Sequence, residues 1–138
     1  MKKMVRMAGL EEHFEIDSAA TSREEIGNPV YPMARQELAK HGIGCPGHAA
    51  RQIEAADYDR YDMIIGMDEN NIKQLLLILG EDQEGKVSRL LDHTAKPRDI
   101  ADPWYTRDFR TSWNDIHAGC ESLLSELTPL LTNDGESY

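Results

Sequence analysis

The chain has 138 residues, enough for one domain around a single hydrophobic core. Its net charge of −10, with the basic residues scattered, argues against a nucleic-acid partner, which would require a basic surface. Apolar runs are all far shorter than the roughly 20 residues that cross a membrane, and no secretory signal is visible. The expected compartment is therefore the cytoplasm, where the two cysteines would stay reduced.

The first half of the chain alternates helical and extended patterns. A helix is predicted from Met1 to about Ala8, ended by Gly9. Alternating apolar and polar residues predict a strand over Phe14–Ala19. Pro32 is a typical first residue for a helix that runs to about Lys40. A loop rich in glycine and proline follows, and then a short acidic helix over residues 54–60.

The second half repeats this alternation. Asp62–Met67 is a compact apolar run, typical of a strand buried on both faces. Asp68 is predicted to cap a helix that ends at Gly80. A third strand over Val87–Leu91 and a loop precede the last helix, which is predicted from about Arg107 to Leu131. Strands that alternate with helices predict an α/β fold with a parallel sheet, in one domain over residues 1–131 with a flexible polar tail over 132–138.

The tetrapeptide Asp102-Pro103-Trp104-Tyr105 is the most informative segment by its residues alone. Proline holds the preceding residue extended, so the loop can project a carboxyl beside two aromatic side chains, an arrangement that suits general-acid catalysis. The alternative is that Asp102 only caps the last helix while Trp104 and Tyr105 pack in the interior.

Five segments together resemble the low-molecular-weight protein tyrosine phosphatases, in the family's order and spacing. They are Ile16–Ser22, Gly27–Arg35 with His41–Ile43, His48–Gln52, Tyr61–Asn71, and Asp102–Tyr105. The resemblance implies a three-layer fold in which helices flank a parallel sheet with strand order 2-1-3-4. The family's first strand, which is central in that order, has no counterpart among these residues.

The resemblance also implies an activity and a site. Family members hydrolyse phosphotyrosine through a phosphocysteine intermediate and need no cofactor, so the implied partners are a phosphotyrosine protein or a small aryl phosphate. Asp102 matches the acid that protonates the leaving phenolate. The substrate ring would be flanked by Trp104, Tyr105 and Tyr31. Residues that brace the phosphate-binding loop are matched by Ser18, His48 and Asp68.

The family's nucleophile lies in a Cys-x5-Arg-Ser loop between the first strand and the first helix, and Met1 aligns within that helix. These residues are therefore expected to form a truncated, inactive phosphatase-like domain; the alternative is a non-catalytic binding or assembly protein on the same scaffold. Without a central strand, the chain is expected either to close Phe14–Ala19 onto Met63–Met67 or to self-associate through exposed sheet edges.

Cys45 and Arg51 formally spell Cys-x5-Arg. However, no predicted strand precedes Cys45, Pro46 removes a backbone amide, and Gln52 stands where Ser or Thr is expected, so an ordinary loop is predicted. Cys120 falls on the apolar stripe of the last helix and is predicted to be a core thiol. The histidines show no metal-ligand spacing, so no metal site is predicted.

Overall fold

The computed structural model describes residues 1–21, 32–44 and 51–136, without the side chains of Trp104 and of residues 132–136. The α-helices within these ranges are α1 (Lys2–Met7), α2 (Pro32–Lys40), α3 (Asp57–Arg60), α4 (Glu69–Leu79), α5 (Pro103–Thr106) and α6 (Phe109–Glu136). The strands are β1 (Ile64–Gly66) and β2 (Val87–Arg89), and 3-10 turns cover Glu11–His13 and Leu90–His93. Within the described ranges, every helix is too short or too polar to cross a bilayer.

The two strands pair in parallel, with Ile64, Ile65 and Gly66 opposite Val87, Ser88 and Arg89. The predicted third strand ends at Arg89 instead of Leu91, because the backbone enters a 3-10 turn at Leu90 that Asp92 caps. The N–H of Arg89 donates to Oδ2 of Asp92 at 2.8 Å. Leu90 and Leu91 then begin a 3-10 turn and are buried there.

Apolar side chains cover both faces of this sheet. On one face Ile64 packs with Ile53 and with Leu75 of α4. On the other face Ile65 packs against a cluster contributed mainly by the second 3-10 turn and α6, with α1 beside it. The members of that cluster are Leu90, Leu91, Ile100, Cys120 and Leu123, with Met1 and Met4 packed against it. This arrangement confirms the predicted α/β fold, with a parallel sheet between helical layers.

The prediction of a strand over Phe14–Ala19 is wrong. The segment has no helix or ladder; the one bridge at its end joins Ala20 to Gln52. In that bridge Ala20 N–H donates to Arg51 O at 2.7 Å, and Ile53 N–H donates to Ala20 O at 2.8 Å. An extended segment becomes a strand only where a neighbour supplies ladder partners. Among the described residues none does so along 14–19.

The expected closure of this segment onto Met63–Met67 does not occur either, since β1 pairs with β2 alone within the described part of the chain. The two segments pack on different faces of α1. Phe14 and Ile16 line a cavity of about 330 Å³ together with Val5, whereas Met1 and Met4 pack on the cluster that Ile65 joins. Within the described ranges, α1 thus lies beside Phe14 and Ile16 and also contacts the cluster that Ile65 joins.

The helix limits follow identifiable caps. Asp68 accepts from the N–H of Asn71 at 2.8 Å and starts α4, and Gly80 ends that helix with φ +83°, as predicted. Helix α6 starts at Phe109, two residues later than predicted, because Asp108 caps it by accepting from the N–H of Thr111 at 3.0 Å. It continues past the predicted end at Leu131 to Glu136.

Candidate functional site

The Asp102–Tyr105 segment forms the entry to the short helix α5. The carbonyl of Asp102 accepts from the N–H of Tyr105 at 3.1 Å and of Thr106 at 3.2 Å. Asp102 is exposed, and Tyr105 is 82% exposed. The alternative role for Asp102, as the cap of the last helix, is wrong because Asp108 caps that helix. The alternative packing of Tyr105 in the interior is wrong as well, since Tyr105 is exposed. The side chain of Trp104 lies outside the described residues.

This segment is fastened to the carboxyl end of β1. The N–H of Ile100 donates to the carbonyl of Met67 at 2.9 Å, and Ile100 is only 3% exposed. The buried hydroxyl of Ser112 on α6 donates to the carbonyl of Ala101 at 3.1 Å. Ligand sites in parallel α/β sheets lie outside the carboxyl ends of the strands. The two anchors therefore hold Asp102 at the edge of the sheet where such a site is expected.

The residue after this turn has an unusual backbone. Arg107 has φ +60°, in the left-handed region, and its N–H closes the turn on Pro103 O at 2.8 Å. Glycine or asparagine normally occupies such a position after a helix. Its guanidinium lies 4.0 Å from the sulfur of Met33 on α2. This contact joins the residue that follows α5 to the start of α2, the helix that follows Tyr31.

Asp68 lies at the end of β1, at the same edge of the sheet. Besides the cap on Asn71, the turn is closed by Met67 N–H, which donates to Oδ1 of Asn71 at 3.0 Å. Gly66 permits this close approach, because a Cβ there would lie 3.0 Å from Cβ of Asn71 and 3.1 Å from Cδ1 of Ile72. Asp68 is thus a helix cap within the described structure.

Ser18 lies in a separate polar network around Arg51. Its N–H donates to Oδ1 of Asp17 at 2.8 Å, and Arg51 Nε donates to the other oxygen of Asp17 at 3.3 Å. Arg51 also forks onto Asp57, at 3.1 and 3.5 Å. Asp57 is 8% exposed and accepts from the N–H of Glu54 at 2.8 Å. The arginine of the formal Cys-x5-Arg segment is therefore engaged by two carboxylates.

The electrostatics of this network follow from those contacts. Burial would raise the pKa of Asp57, but the hydrogen bonds from Glu54 and Arg51 outweigh it, so its pKa lies below the usual value. The Ser18 N–H, aided by Arg51, lowers the pKa of Asp17 against a smaller opposing effect of burial. The hydrogen bond to Asp57 raises the pKa of Arg51 and outweighs burial, which would lower it. All three groups are held in their charged forms.

Stability should depend on pH through Asp57. A carboxyl with a lowered folded pKa contributes stability above its unfolded pKa, and that contribution is lost as the pH falls through the folded pKa. Asp57→Asn is expected to cost about 1–3 kcal/mol at pH 7, because it leaves a partly buried arginine with a weaker partner. The variant should also lose less stability than the parent between about pH 5 and about pH 2.5, the range in which aspartates protonate.

Denaturant unfolding of both proteins across that range measures the effect. Asp59→Asn is the matched control, since Asp59 is an exposed aspartate on the same short helix. Equal acid sensitivity of the parent and Asp57→Asn would contradict the assignment.

The structure thus places Asp102 directly before α5 and Tyr105 on it, Asp68 at the end of β1, and Ser18 beside Asp17. Tyr31 and His48 lie outside the described residues. Sequence reasoning did not identify the Arg51–Asp57 pair or the cap at Asp108. The aspartate three residues before Thr111 was a readable signal for the second, because N-cap aspartates bond to the third residue of the helix.

These features define an α/β domain whose candidate site lies at the carboxyl edge of a parallel sheet. The family model described as low molecular weight phosphotyrosine protein phosphatase matches residues 1–131. The chain belongs to this family.

Relatives support the assignment. The low molecular weight protein-tyrosine-phosphatase YfkJ of Bacillus subtilis is 36% identical over 121 residues, which are 86% of this chain and 78% of that protein. The human low molecular weight phosphotyrosine protein phosphatase is 32% identical over 130 residues, covering 91% of this chain and 82% of that protein. The crystal structure of YfkJ matches with a TM-score of 0.89 at 34% identity, covering 93% of this chain and 82% of that one.

Proposed function

We propose that this domain serves the hydrolysis of phosphotyrosine, in proteins or in small aryl phosphates, with Asp102 as the proton donor. The observation that carries the proposal is the placement of Asp102. It is exposed just before α5, three residues before the exposed Tyr105, and its loop is fastened to the carboxyl end of β1. An acid beside an aromatic rim at that edge is what cleavage of an aryl phosphate requires.

In the proposed reaction a cysteine thiolate attacks phosphorus while Asp102 gives its proton to the departing phenolate oxygen. The resulting carboxylate then takes a proton from water as the water attacks the phosphocysteine, which releases phosphate and restores the thiolate. Trp104, Tyr105 and Tyr31 flank the substrate ring in this scheme. Ser18, His48 and Asp68 brace the loop that carries the thiolate.

The cysteines of this chain are poor candidates for that thiolate. Cys120 is 7% exposed and belongs to the apolar cluster under α6. A thiolate site also needs a phosphate clamp, and Arg51, six residues after Cys45, is already bonded to Asp57 and Asp17. These 138 residues contain no Cys-x5-Arg-Ser segment. By themselves they are therefore expected to show no cysteine-dependent turnover.

An aryl phosphate assay tests this proposal. The 138-residue protein and its Cys45→Ser variant should give the same background rate. A chain preceded by the strand and Cys-x5-Arg-Ser loop of the Bacillus relative should gain activity, and lose it again when the added cysteine is changed to serine. Turnover by the 138 residues that disappears with Cys45→Ser would refute the expected inactivity. An inactive extended chain that binds phosphate tightly would favour the non-catalytic alternative.

We further propose that the protein self-associates through its sheet. The support is the edge of β1 that faces away from β2, which has no strand paired to it among the described residues. Free strand edges readily pair with another chain. Sedimentation velocity over a range of protein concentrations should detect dimers or larger species, and a monodisperse monomer throughout would contradict the proposal.

A further inference from the structure

A serine, a histidine and a glutamate line up on the face of the sheet that α6 covers, apart from the phosphatase site. Oγ of Ser88 on β2 lies 2.8 Å from Nε2 of His93. Nδ1 of the same ring lies 3.0 Å from Oε2 of Glu126 on α6. We propose that Ser88 is a second nucleophile of this protein, independent of cysteine, that reacts with activated carboxylic esters.

The contacts fix the role of each group. A carboxylate can only accept hydrogen bonds, so the Nδ1 atom facing Glu126 carries the ring hydrogen. Nε2 then presents its lone pair to the hydroxyl of Ser88. In unrelated hydrolases a serine is activated by the same order of groups: the serine is hydrogen-bonded to a base, and a carboxylate orients that base.

The fold holds these groups in place. Leu90 and Leu91, 3% and 4% exposed, anchor the 3-10 turn that joins Ser88 to His93. Leu123, 7% exposed, anchors α6 one turn before Glu126. The imidazole is therefore set between two elements whose positions the hydrophobic core determines.

The group is partly open to solvent. Ser88 is half-buried, the His93 side chain is 12% exposed, and that of Glu126 is 51% exposed. Leu130, one turn beyond Glu126 on α6, is 59% exposed and offers an apolar surface for an acyl group. The neighbouring Arg89 does not compete for Glu126, because its guanidinium is bonded to Asp92 and Asp99.

The backbone around Ser88 limits which substrates react. The strand register directs the N–H of Ser88 into the ladder with β1. The N–H groups of Val87 and Arg89 already donate to carboxylates, at 3.0 and 2.8 Å. These amides cannot stabilise an oxyanion, and each such missing donor costs about 10²–10³ in rate. The substrate class is therefore esters of acidic alcohols, such as aryl acetates, whose leaving groups need little assistance.

The reaction is an acyl transfer. Oγ of Ser88 bonds to the ester carbonyl carbon as Nε2 of His93 takes the hydroxyl proton. The bond from that carbon to the aryl oxygen then breaks. The aryl oxygen leaves as phenol with the proton from His93, or as phenolate while His93 gives that proton to water. Water attacks the acyl-serine, with His93 again taking a proton, and releases the carboxylic acid and Ser88.

Incubation of the 138-residue Cys45→Ser protein with 4-nitrophenyl acetate tests the proposal, with the acetylated residue located by peptide mass spectrometry. Acetyl-Ser88 is expected, and Ser88→Ala should abolish it. His93→Gln should slow its formation by about 10²-fold or more, in line with the contribution of a general base. Ser125→Ala, which changes an exposed serine beside Glu126, should leave the acetylation unchanged.

Thermal unfolding of each variant separates loss of the nucleophile from loss of the fold. A folded parent without acetyl-Ser88 would overturn the proposal, as would equal acetylation rates in the parent and a folded His93→Gln variant. Neither result tests Asp102 or the hydrolysis of phosphotyrosine.

Discussion

Asp102→Asn, in a chain extended by the nucleophile loop, is expected to lower kcat for phenyl phosphate by about 10²–10⁴-fold, the usual contribution of a positioned general acid and base. Asparagine has nearly the same shape as aspartic acid but has no acidic proton to give to the leaving oxygen. KM should change little, because Asp102 is proposed to act on the departing oxygen and not to hold the phosphate. Steady-state kinetics of the two extended chains measure both quantities.

The leaving group gives an independent readout of the same role. A 4-nitrophenolate leaves with little help, so the loss in its first chemical step should be smaller than with unsubstituted phenol. Burst kinetics isolate that step, because they separate formation of the phosphocysteine from its hydrolysis. A structural role for Asp102 would instead slow both substrates by the same factor.

Asp108→Asn is the matched control for this experiment. Asp108 is an exposed aspartate six residues further along the chain, and its function as the cap of α6 is met equally well by asparagine. Its kcat should stay within about twofold of the parent, since surface changes that preserve a cap have small effects. A large loss in Asp108→Asn, or none in Asp102→Asn, would contradict the assignment of Asp102 as the acid.

The sequence was sufficient where structure depends on neighbours in the chain. Helix α4 begins after Asp68 and ends at Gly80 as predicted, because a helix cap depends on residues within one turn. The prediction of a strand over Phe14–Ala19 was wrong for the opposite reason. Its alternation is typical of a strand, but a strand also needs partners from elsewhere in the chain, and periodicity does not show whether they are present.

The candidate site, too, was predictable from the sequence only in its local part. Asp102 could be named from a local motif, whereas the anchors that hold its loop join Ile100 to Met67 and Ser112 to Ala101. The Ser88–His93–Glu126 group was not visible in the sequence either, since Glu126 lies 33 residues beyond His93. Contacts between distant residues of this kind appear only when the packing of α6 on the turn after β2 is known.

Gly119→Ala tests that packing directly and is expected to lower the free energy of unfolding by about 1–3 kcal/mol, the usual cost of overfilling a core. Gly119 lies within α6, where alanine would ordinarily be favoured over glycine by about 1 kcal/mol. A Cβ there, however, would lie 2.5 Å from Cγ of Leu90 and 3.0 Å from its Cδ2. Leu90 is 3% exposed in the cluster beneath α6, so it has little room to move away.

The same substitution should change sign when Leu90 is shortened. Leu90→Ala alone should cost about 2–5 kcal/mol through the cavity it leaves. In that background the methyl group added at position 119 enters empty space, so Gly119→Ala should become neutral or stabilising by up to about 1 kcal/mol, the intrinsic helix preference of alanine. Urea unfolding of the parent, both single variants and the double variant gives this coupling, which contacting residues are expected to show.

The control for this cycle is Asn114→Ala, at an exposed position of α6, which should have the same small effect in both backgrounds. A Gly119→Ala cost that is as large in the Leu90→Ala background as in the parent would show that the methyl group does not meet the Leu90 side chain. The close packing of α6 on the turn after β2 would then be wrong. Because His93 reaches Glu126 across that same contact, the alignment of Ser88, His93 and Glu126 would be in doubt as well.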